Sequence, residues 1–304
     1  MNTVTVVGSI NLDRTIRVQK MPRAGETIHT KELFTAHGGK GANQAVAAQR
    51  LGAQTNFIGA VGDDAAGQDI LAQLKKEGLQ TKGIQVLPQV ATGQAYVVVD
   101  DAGENQIMIH GGANQEFTPE QVRSQAQLIA DSDFVIAQFE SPLECTQAAF
   151  ELAHEHGAVT ILNPAPAQAD LSPKLLELTD LIIPNETEAQ ILTGVAVVDQ
   201  ESAEQAAQKL QAKGIEQVII TLGSRGAFWS ASGQASQLIP AYRVEAVDTT
   251  AAGDTFIGAL ASFLDPQLTK MVAAIKFGNQ ASALTVQRPG AQSSIPYRTE
   301  LEKK

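Results

Sequence analysis

Near its start the chain reads Thr3-Val4-Thr5-Val6-Val7-Gly8-Ser9-Ile10-Asn11, five β-branched residues that give way at once to small and polar ones. β-Branched runs fit a pleated strand, and the change of composition marks where a strand ends in a loop. The same signature returns at Thr55 to Val61, Asp133 to Phe139, Ala158 to Asn163, Asp180 to Pro184 and Gln217 to Leu222. Between these runs lie segments of helical period, among them Asn43 to Leu51, Ala65 to Glu77, Pro119 to Ala130, Leu143 to His156 and Ala203 to Lys213. Strands alternating with helices predict an α/β fold, with a mostly parallel central sheet flanked by helices.

Two stretches break the alternation. Residues from about Asp13 to Thr35 read as extended, with a turn at Pro22-Arg23-Ala24-Gly25. Thr92 to Asp100 and Asn105 to His110 flank Asp101-Ala102-Gly103-Glu104, which reads as a hairpin turn. Val97, Val99, Ile107 and Ile109 alternate with polar residues, as a strand with two different faces requires. Strands without intervening helices predict a small accessory β-sheet, a lid formed by about residues 13–35 and 92–110. Neither linkers nor repeats appear, so residues 1–304 are expected to form a single domain.

Composition narrows the function classes. With 22 Lys+Arg against 33 Asp+Glu the 304 residues carry a formal charge of −11, which argues against a nucleic-acid partner. No apolar stretch approaches the roughly 20 residues that span a bilayer, so no membrane is implied. The single cysteine, Cys145, forms neither an internal disulfide nor a multi-cysteine metal site. The first residues lack the basic segment of a signal peptide, and a cytoplasmic location is expected.

In parallel sheets, ligands bind beyond the carboxyl ends of the strands. Polar clusters gather there: Gly8-Ser9-Ile10-Asn11, Gln138-Phe139-Glu140-Ser141-Pro142, Asn163-Pro164-Ala165-Pro166, Pro184-Asn185-Glu186-Thr187-Glu188 and Thr221-Leu222-Gly223-Ser224-Arg225-Gly226. One such cluster is ordinary helix capping, whereas five on one rim imply a cleft.

The densest glycine motif is His37-Gly38-Gly39-Lys40-Gly41-Ala42-Asn43, expected to open a helix at Ala42 or Asn43. It matches neither a Walker A loop nor G-x-G-x-x-G, and it reads either as a capped turn or as backbone shaped to approach a ligand. A second motif, Asp248-Thr249-Thr250-Ala251-Ala252-Gly253-Asp254, runs into a helical pattern at Ile257, Leu260 and Phe263. Small residues at a helix start leave backbone N–H groups open to a bulky anion. Asp254 in the first turn is either a favourable N-terminal acid or a base for a substrate hydroxyl. Anion-accepting backbone beside a carboxylate suits phosphoryl transfer to an alcohol, and Asn11, Asp13, Asn43 and Glu140 supply hydrogen bonds for a polyhydroxylated acceptor.

These motifs resemble those of the ribokinase-like (PfkB) carbohydrate kinases, and the resemblance runs from Val6 to about Arg298. It implies ATP-dependent phosphorylation of D-ribose at O5, with a related acceptor (2-deoxyribose, fructose or a nucleoside) or a non-catalytic sugar-binding protein as alternatives. By the resemblance, Asn11, Asp13, Gly39, Lys40, Asn43 and Glu140 hold the sugar. Asp254 takes the proton, and Ala251, Ala252 and Gly253 form the anion hole. Asn185, Glu188, Thr221, Gly223, Ser224, Gly226 and Asn279 serve the nucleotide, Asn279 standing where some members carry histidine. Glu186 and Glu188 help place hydrated Mg2+. A monovalent cation, normally K+, is implied at Asp248, Thr250, Thr285, Arg288, Gly290 and Ser294, and a homodimer is implied through the lid sheet.

Overall fold

Alternation along a strand sends successive side chains to opposite faces, and the central strands are apolar on both. Val4, Val6, Phe134, Ile136 and Ile161 join one buried cluster, while Val7, Val135, Ala137, Leu162 and Val218 join another. A sheet dry on both faces needs helices on both, which is the parallel α/β arrangement.

The computed structural model describes residues 1–302. Its strands are β1 (Thr3–Val7), β2 (Asn11–Arg17), β3 (Glu32–Gly38), β4 (Gln54–Gly62), β5 (Gln80–Leu87), β6 (Gly93–Val99), β7 (Asn105–His110), β8 (Phe134–Ala137), β9 (Val159–Leu162), β10 (Leu181–Ile182), β11 (Gln217–Thr221), β12 (Ala227–Ala231) and β13 (Gln237–Ile239). The helices are α1 (Lys40–Arg50), α2 (Ala65–Lys76), α3 (Pro119–Arg123), α4 (Ala126–Ala130), α5 (Leu143–His156), α6 (Pro173–Glu177), α7 (Glu186–Thr193), α8 (Gln200–Gln211), α9 (Ala252–Phe263), α10 (Met271–Thr285) and α11 (Arg298–Leu301).

The main sheet has the order β13-β12-β11-β10-β9-β8-β1-β4-β5 and is parallel from β11 to β5, with β12 antiparallel to both its neighbours. Helices α1 and α9 cover one face through Val46, Ile257 and Leu260, and α5 and α8 cover the other through Phe150 and Ala206. The second sheet has the order β3-β2-β6-β7, with β2 parallel to β6 and hairpins elsewhere. Its tip turn follows the composition: Gly103 takes φ +83°, and Asp100 Oδ1 accepts from the N–H groups of Ala102 and Glu104. No helix among the described residues is long and apolar enough to cross a membrane.

Three helices differ from expectation. Helix α1 begins at Lys40, ahead of the expected Ala42 or Asn43, because its N-cap is Gly39 at φ +89°. A Cβ on Gly39 would lie 2.8 Å from both Asn11 N and Ser9 O, so only glycine permits this approach. The expected helix from Pro119 to Ala130 is two helices, α3 and α4, interrupted where Ser124 Oγ donates to Gln121 O. Helix α8 starts three residues early, at Gln200, because Asp199 and Ser202 close a capping box.

The site depends on how closely α1 and α9 approach. A Cβ on Gly258 of α9 would lie 2.5 Å from Ala47 Cβ and 2.7 Å from Gln44 O, both on α1. Gly258→Ala is therefore expected to push the helices apart and to lower the urea-unfolding free energy by about 1–3 kcal/mol. Unchanged stability would show that the two helices are not in tight contact.

Candidate active site

The carboxyl ends of the parallel strands converge on a cavity of about 210 Å3, lined by Lys40, Asn163, Asn185, Glu188, Thr221, Thr249 and the segment Ala251 to Asp254. Each wall has a local cause. Ala251 sits in the left-handed region at φ +60° and turns the chain into α9. The first full helical bond there runs from Thr255 N to Ala251 O, leaving the amides of Gly253 and Asp254 ahead of it. Unpaired N–H groups at a helix start attract anions, and the small side chains of residues 251–253 leave them accessible.

Asp254 is held from α1. Asn43 Nδ2 donates to its Oδ2 and Gln44 Nε2 to its Oδ1, each at 3.0 Å. Burial raises the Asp254 pKa, against the opposing pull of Lys40 and the two amide donors. For Lys40, burial opposes the charge, but Asp254, Glu140, Glu188 and Asp13 outweigh it and hold the ammonium above the usual lysine range.

The accessory sheet supplies the polar residues next to this pair. In β2, Asn11 pairs across to Gly38 and Gly93 and Asp13 to Ala36 and Ala95. The glycines make room: a Cβ on Gly38 would lie 1.9 Å from Asp13 Oδ2, and one on Gly93 would lie 2.4 Å from Asn11 Oδ1. Glu140 Oε2 accepts from Ser9 Oγ at 2.5 Å and from Lys40 N at 3.0 Å, which ties β1, α1 and the loop after β8 together. Asp13 Oδ1 and Asn43 Oδ1 are buried acceptors without a protein donor. Orphaned acceptors of this kind are costly without a donor, and ligand hydroxyls are donors. Burial, with Glu140 and Asp254 nearby, pushes the Asp13 carboxyl up to about 7.

On the other side of Asp254, Asn185 caps α7 in a reciprocal box with Glu188, and burial raises the Glu188 carboxyl. Gly223 and Ser224 lie in the 3₁₀ turn after β11, with Gly226 closing it. Those three residues and Asn279 are not among the cavity-lining residues. Asn279 Nδ2 donates to Ile239 O and Pro240 O, so half of its amide is committed to fixing the end of β13. Glu186 pairs with Arg225 at 2.6 Å, and Arg225 also reaches Val198 O.

Behind the anion-accepting loop, Asp248 bridges two segments. Its Oδ1 accepts from Thr250 N and Oγ1, and its Oδ2 from Gly290 N at 2.8 Å. Burial raises this carboxyl, but the three donors outweigh it and hold it below the usual range. The hydroxyls of Thr285 and Ser294 turn to Ala281 O and Ala291 O, and the Arg288 guanidinium pairs with Glu300. Both hydroxyls spend their protons on these carbonyls, so their oxygen lone pairs remain available beside the backbone carbonyls of this segment.

Gln44, Ser9 and Asn114 carry no motif signal of their own, yet they hold Asp254, Glu140 and Asn11 in place, and Gln138 in turn holds Gln44. Gln44 stands next to the glycine motif, and only its position on α1 opposite α9 brings it to Asp254. Asn114 Nδ2 donates to Asn11 Oδ1 at 2.8 Å, leaving the Asn11 amide with its donor end free of that bond.

A carboxylate at a helix N-terminus, an anion-accepting turn and buried acceptors without protein donors suit a phosphotransferase with an alcohol acceptor. The family model described as pfkB family carbohydrate kinase matches residues 1–298, and the chain belongs to that family. It is 46% identical over 301 residues to the ribokinase of Staphylococcus aureus (strain COL), covering 99% of this chain and 98% of the relative. It is 36% identical over 293 residues to the deoxyribokinase of Salmonella typhi, covering 96% and 95%. The solved structure of Arabidopsis thaliana ribokinase complexed with ribose and ATP superimposes with a TM-score of 0.91 at 31% identity, covering 99% of this chain and 98% of that one. The protein is a carbohydrate kinase, and the expected fold class agrees with these structures.

The Asp13 carboxyl links the site to stability. Its folded-state pKa, about 7, lies above the ordinary 3.8, so folding takes up a proton and stability falls as pH rises through that window. Asp13→Asn removes the burden of the buried charge. It is expected to raise the thermal midpoint of the sugar-free protein at about pH 8 and to change it little near pH 4. An equal effect at both pH values would contradict the raised pKa.

Proposed function

We propose that the protein transfers the terminal phosphoryl group of ATP to the 5-hydroxyl of D-ribose, with Asp254 as general base. The observation that carries this reading is Asp254 itself, in the first turn of α9 and hydrogen-bonded by Asn43 and Gln44, in a protein where Asp13 Oδ1 and Asn43 Oδ1 are buried acceptors without a protein donor. Ribose hydroxyls donate to those acceptors, with Asn11, Gly39, Lys40 and Glu140 completing the sugar pocket. The O5 proton moves to the Asp254 carboxylate as the oxygen attacks the terminal phosphorus and ADP leaves. Charge developing on the phosphoryl oxygens meets the backbone of Ala251, Ala252 and Gly253 and the Lys40 ammonium. ATP lies across Asn185, Glu188 and Thr221, with Gly223, Ser224, Gly226 and Asn279 farther along its nucleoside end.

Magnesium would enter with the nucleotide. No group of three or more acidic, histidine or cysteine side chains gathers to hold a metal among the described residues, and Glu188 with phosphate oxygens is a fitting donor set. Bound there, the ion neutralises phosphate charge. K+ fits the Asp248 loop, where an ionised carboxylate, the Thr250 hydroxyl and carbonyls from 285 to 294 are all oxygen donors, with Arg288 and Gly290 contributing backbone. Its chemistry is electrostatic: it holds the loop that precedes the anion hole.

The accessory sheet is read as a lid over the sugar, carried on the single 1–304 domain. It excludes water from the transferred phosphoryl group. The sheet exposes Leu33 and Met108 on one face and Phe34, Ile107 and Ile109 on the face that carries Asp13, each more than half accessible, and this supports pairing of two lids in a homodimer. A cytoplasmic location accords with this activity.

Asp254→Asn is expected to lower kcat by about 10^3-fold, with ribose binding retained by calorimetry; near-normal turnover would remove Asp254 as the base. Steady-state assays with ribose, 2-deoxyribose, fructose and adenosine, each with and without K+, are expected to favour ribose and to show K+ stimulation. Preference for another acceptor would replace ribose, and an identical rate without K+ would dismiss the cation site. Sedimentation at micromolar concentration is expected to show a dimer that Ile109→Glu dissociates, and a monomer in the unmutated protein would rule out lid pairing.

A further inference from the structure

Behind Asp254, three buried amide side chains follow one another in a fixed donor order. Asn163 Nδ2 donates to Ile183 O at 3.1 Å. A backbone carbonyl only accepts, so this bond settles which end of the Asn163 amide is which and turns its Oδ1 toward α1. Gln44 must then present its amide nitrogen, and Gln44 Nε2 donates to Asn163 Oδ1 at 3.1 Å and to Asp254 Oδ1 at 3.0 Å. Its Oε1 is left to accept, and Gln138 Nε2 donates to it at 2.6 Å. Gln44 and Gln138 are both fully buried.

The chain ends at a cost. Gln138 Oε1 is buried without a donor, and an unsatisfied buried acceptor costs about 1–3 kcal/mol. An apolar side chain at 138 would avoid it. Room for that oxygen comes from Gly8, where a Cβ would lie 2.1 Å from Gln138 Oε1. Two positions, Gly8 and Gln138, are thus spent on keeping the Gln44 carbonyl occupied and its nitrogen aimed at Asp254.

We infer that Gln44 is a positioning residue for phosphoryl transfer, and that the Gln138–Gln44–Asn163 relay locks it as a hydrogen-bond donor to Asp254. The inference rests on the reading of Asp254 as the base. With Asn43 donating to Oδ2 and Gln44 to Oδ1, the carboxylate is held at both oxygens where Asp254 lines the cavity. The relay also biases the charge state. A donor to the ionised form favours that form, so Gln44 works against burial and keeps Asp254 able to take a proton.

The test is Gln44→Met, which keeps the volume and removes both amide groups. Its kcat for ribose is expected to fall at least about 10-fold at neutral pH. The acid limb of its kcat–pH profile should move up by about one unit, the equivalent of one lost hydrogen bond to a charge. The KM for ribose is expected to change less than about threefold, since Gln44 is fully buried and does not line the cavity. Gln138→Leu is expected to shift the limb the same way by a smaller amount, and the double variant should match Gln44→Met because both act through one chain. Should Gln44→Met fail to fold, Gln138→Leu alone still reports the shift. An unshifted acid limb in either soluble variant, even with reduced kcat, would overturn the positioning role. Retained turnover in Asp254→Asn would instead overturn the base itself, so the two failures are distinguishable.

Discussion

The carboxylate of Asp254 is held where α1 and α9 start side by side, and the rest of the site is arranged around that contact. Two helix N-termini converge on it, one bringing amide side chains and the other open backbone N–H groups. The approach is possible because Gly258 lets α9 lie against Ala47 and Gln44. Both helices rest on the same dry face of the main sheet, so strands β1, β8 and β9 set their height relative to the rim. A carboxylate this deep is electrostatically unfavourable, and the amide donors with Lys40 are what make it tolerable.

Charge at the site is decided locally. The chain carries −11 overall, yet its proposed substrate ATP is an anion. Salt screens exposed charges beyond about 10 Å, so what an entering phosphate meets is the helix start and Lys40. Asp13, Glu140, Glu188 and Asp254 surround that lysine and hold its proton firmly. Burial is the main reason the Asp13 carboxyl is pushed up to about 7, and Glu140 and Asp254 add to it against the pull of Lys40.

The loop behind the anion hole has its own brace. Asp248 ties residue 250 to residue 290, and Arg50 donates to Gln292 O and Ile295 O while pairing with Glu77 at 2.7 Å. Helix α1 therefore carries site residues at its start and anchors the C-terminal segment at its end.

Much of this was legible in the residues. The strand runs, their polar endings and the two motifs before α1 and α9 each follow from local preferences, because side-chain periodicity and glycine placement act over a few residues. The strands β5, β12 and β13 and the helices α6, α7, α10 and α11 lie outside the expected elements. The starts of α1 and α8 were misplaced by two or three residues, since Gly39 and Asp199 cap through geometry that composition alone does not show.

What the sequence by itself determined was the α/β order, the accessory sheet, the rim and the chemistry-bearing residue types. Only the tertiary structure decided which of them meet. Gln44 and Asp254 are 210 positions apart, and no period or motif links them. The direction of every amide in the relay depends on one carbonyl, that of Ile183, and the commitment of Asn279 to β13 and of Glu186 to Arg225 depends on loops folding back from distant segments. Local sequence fixes conformation through short-range sterics, whereas hydrogen-bond partnership is settled by long-range packing, which is why Asp254 stands out in the sequence but its hydrogen-bond partners do not.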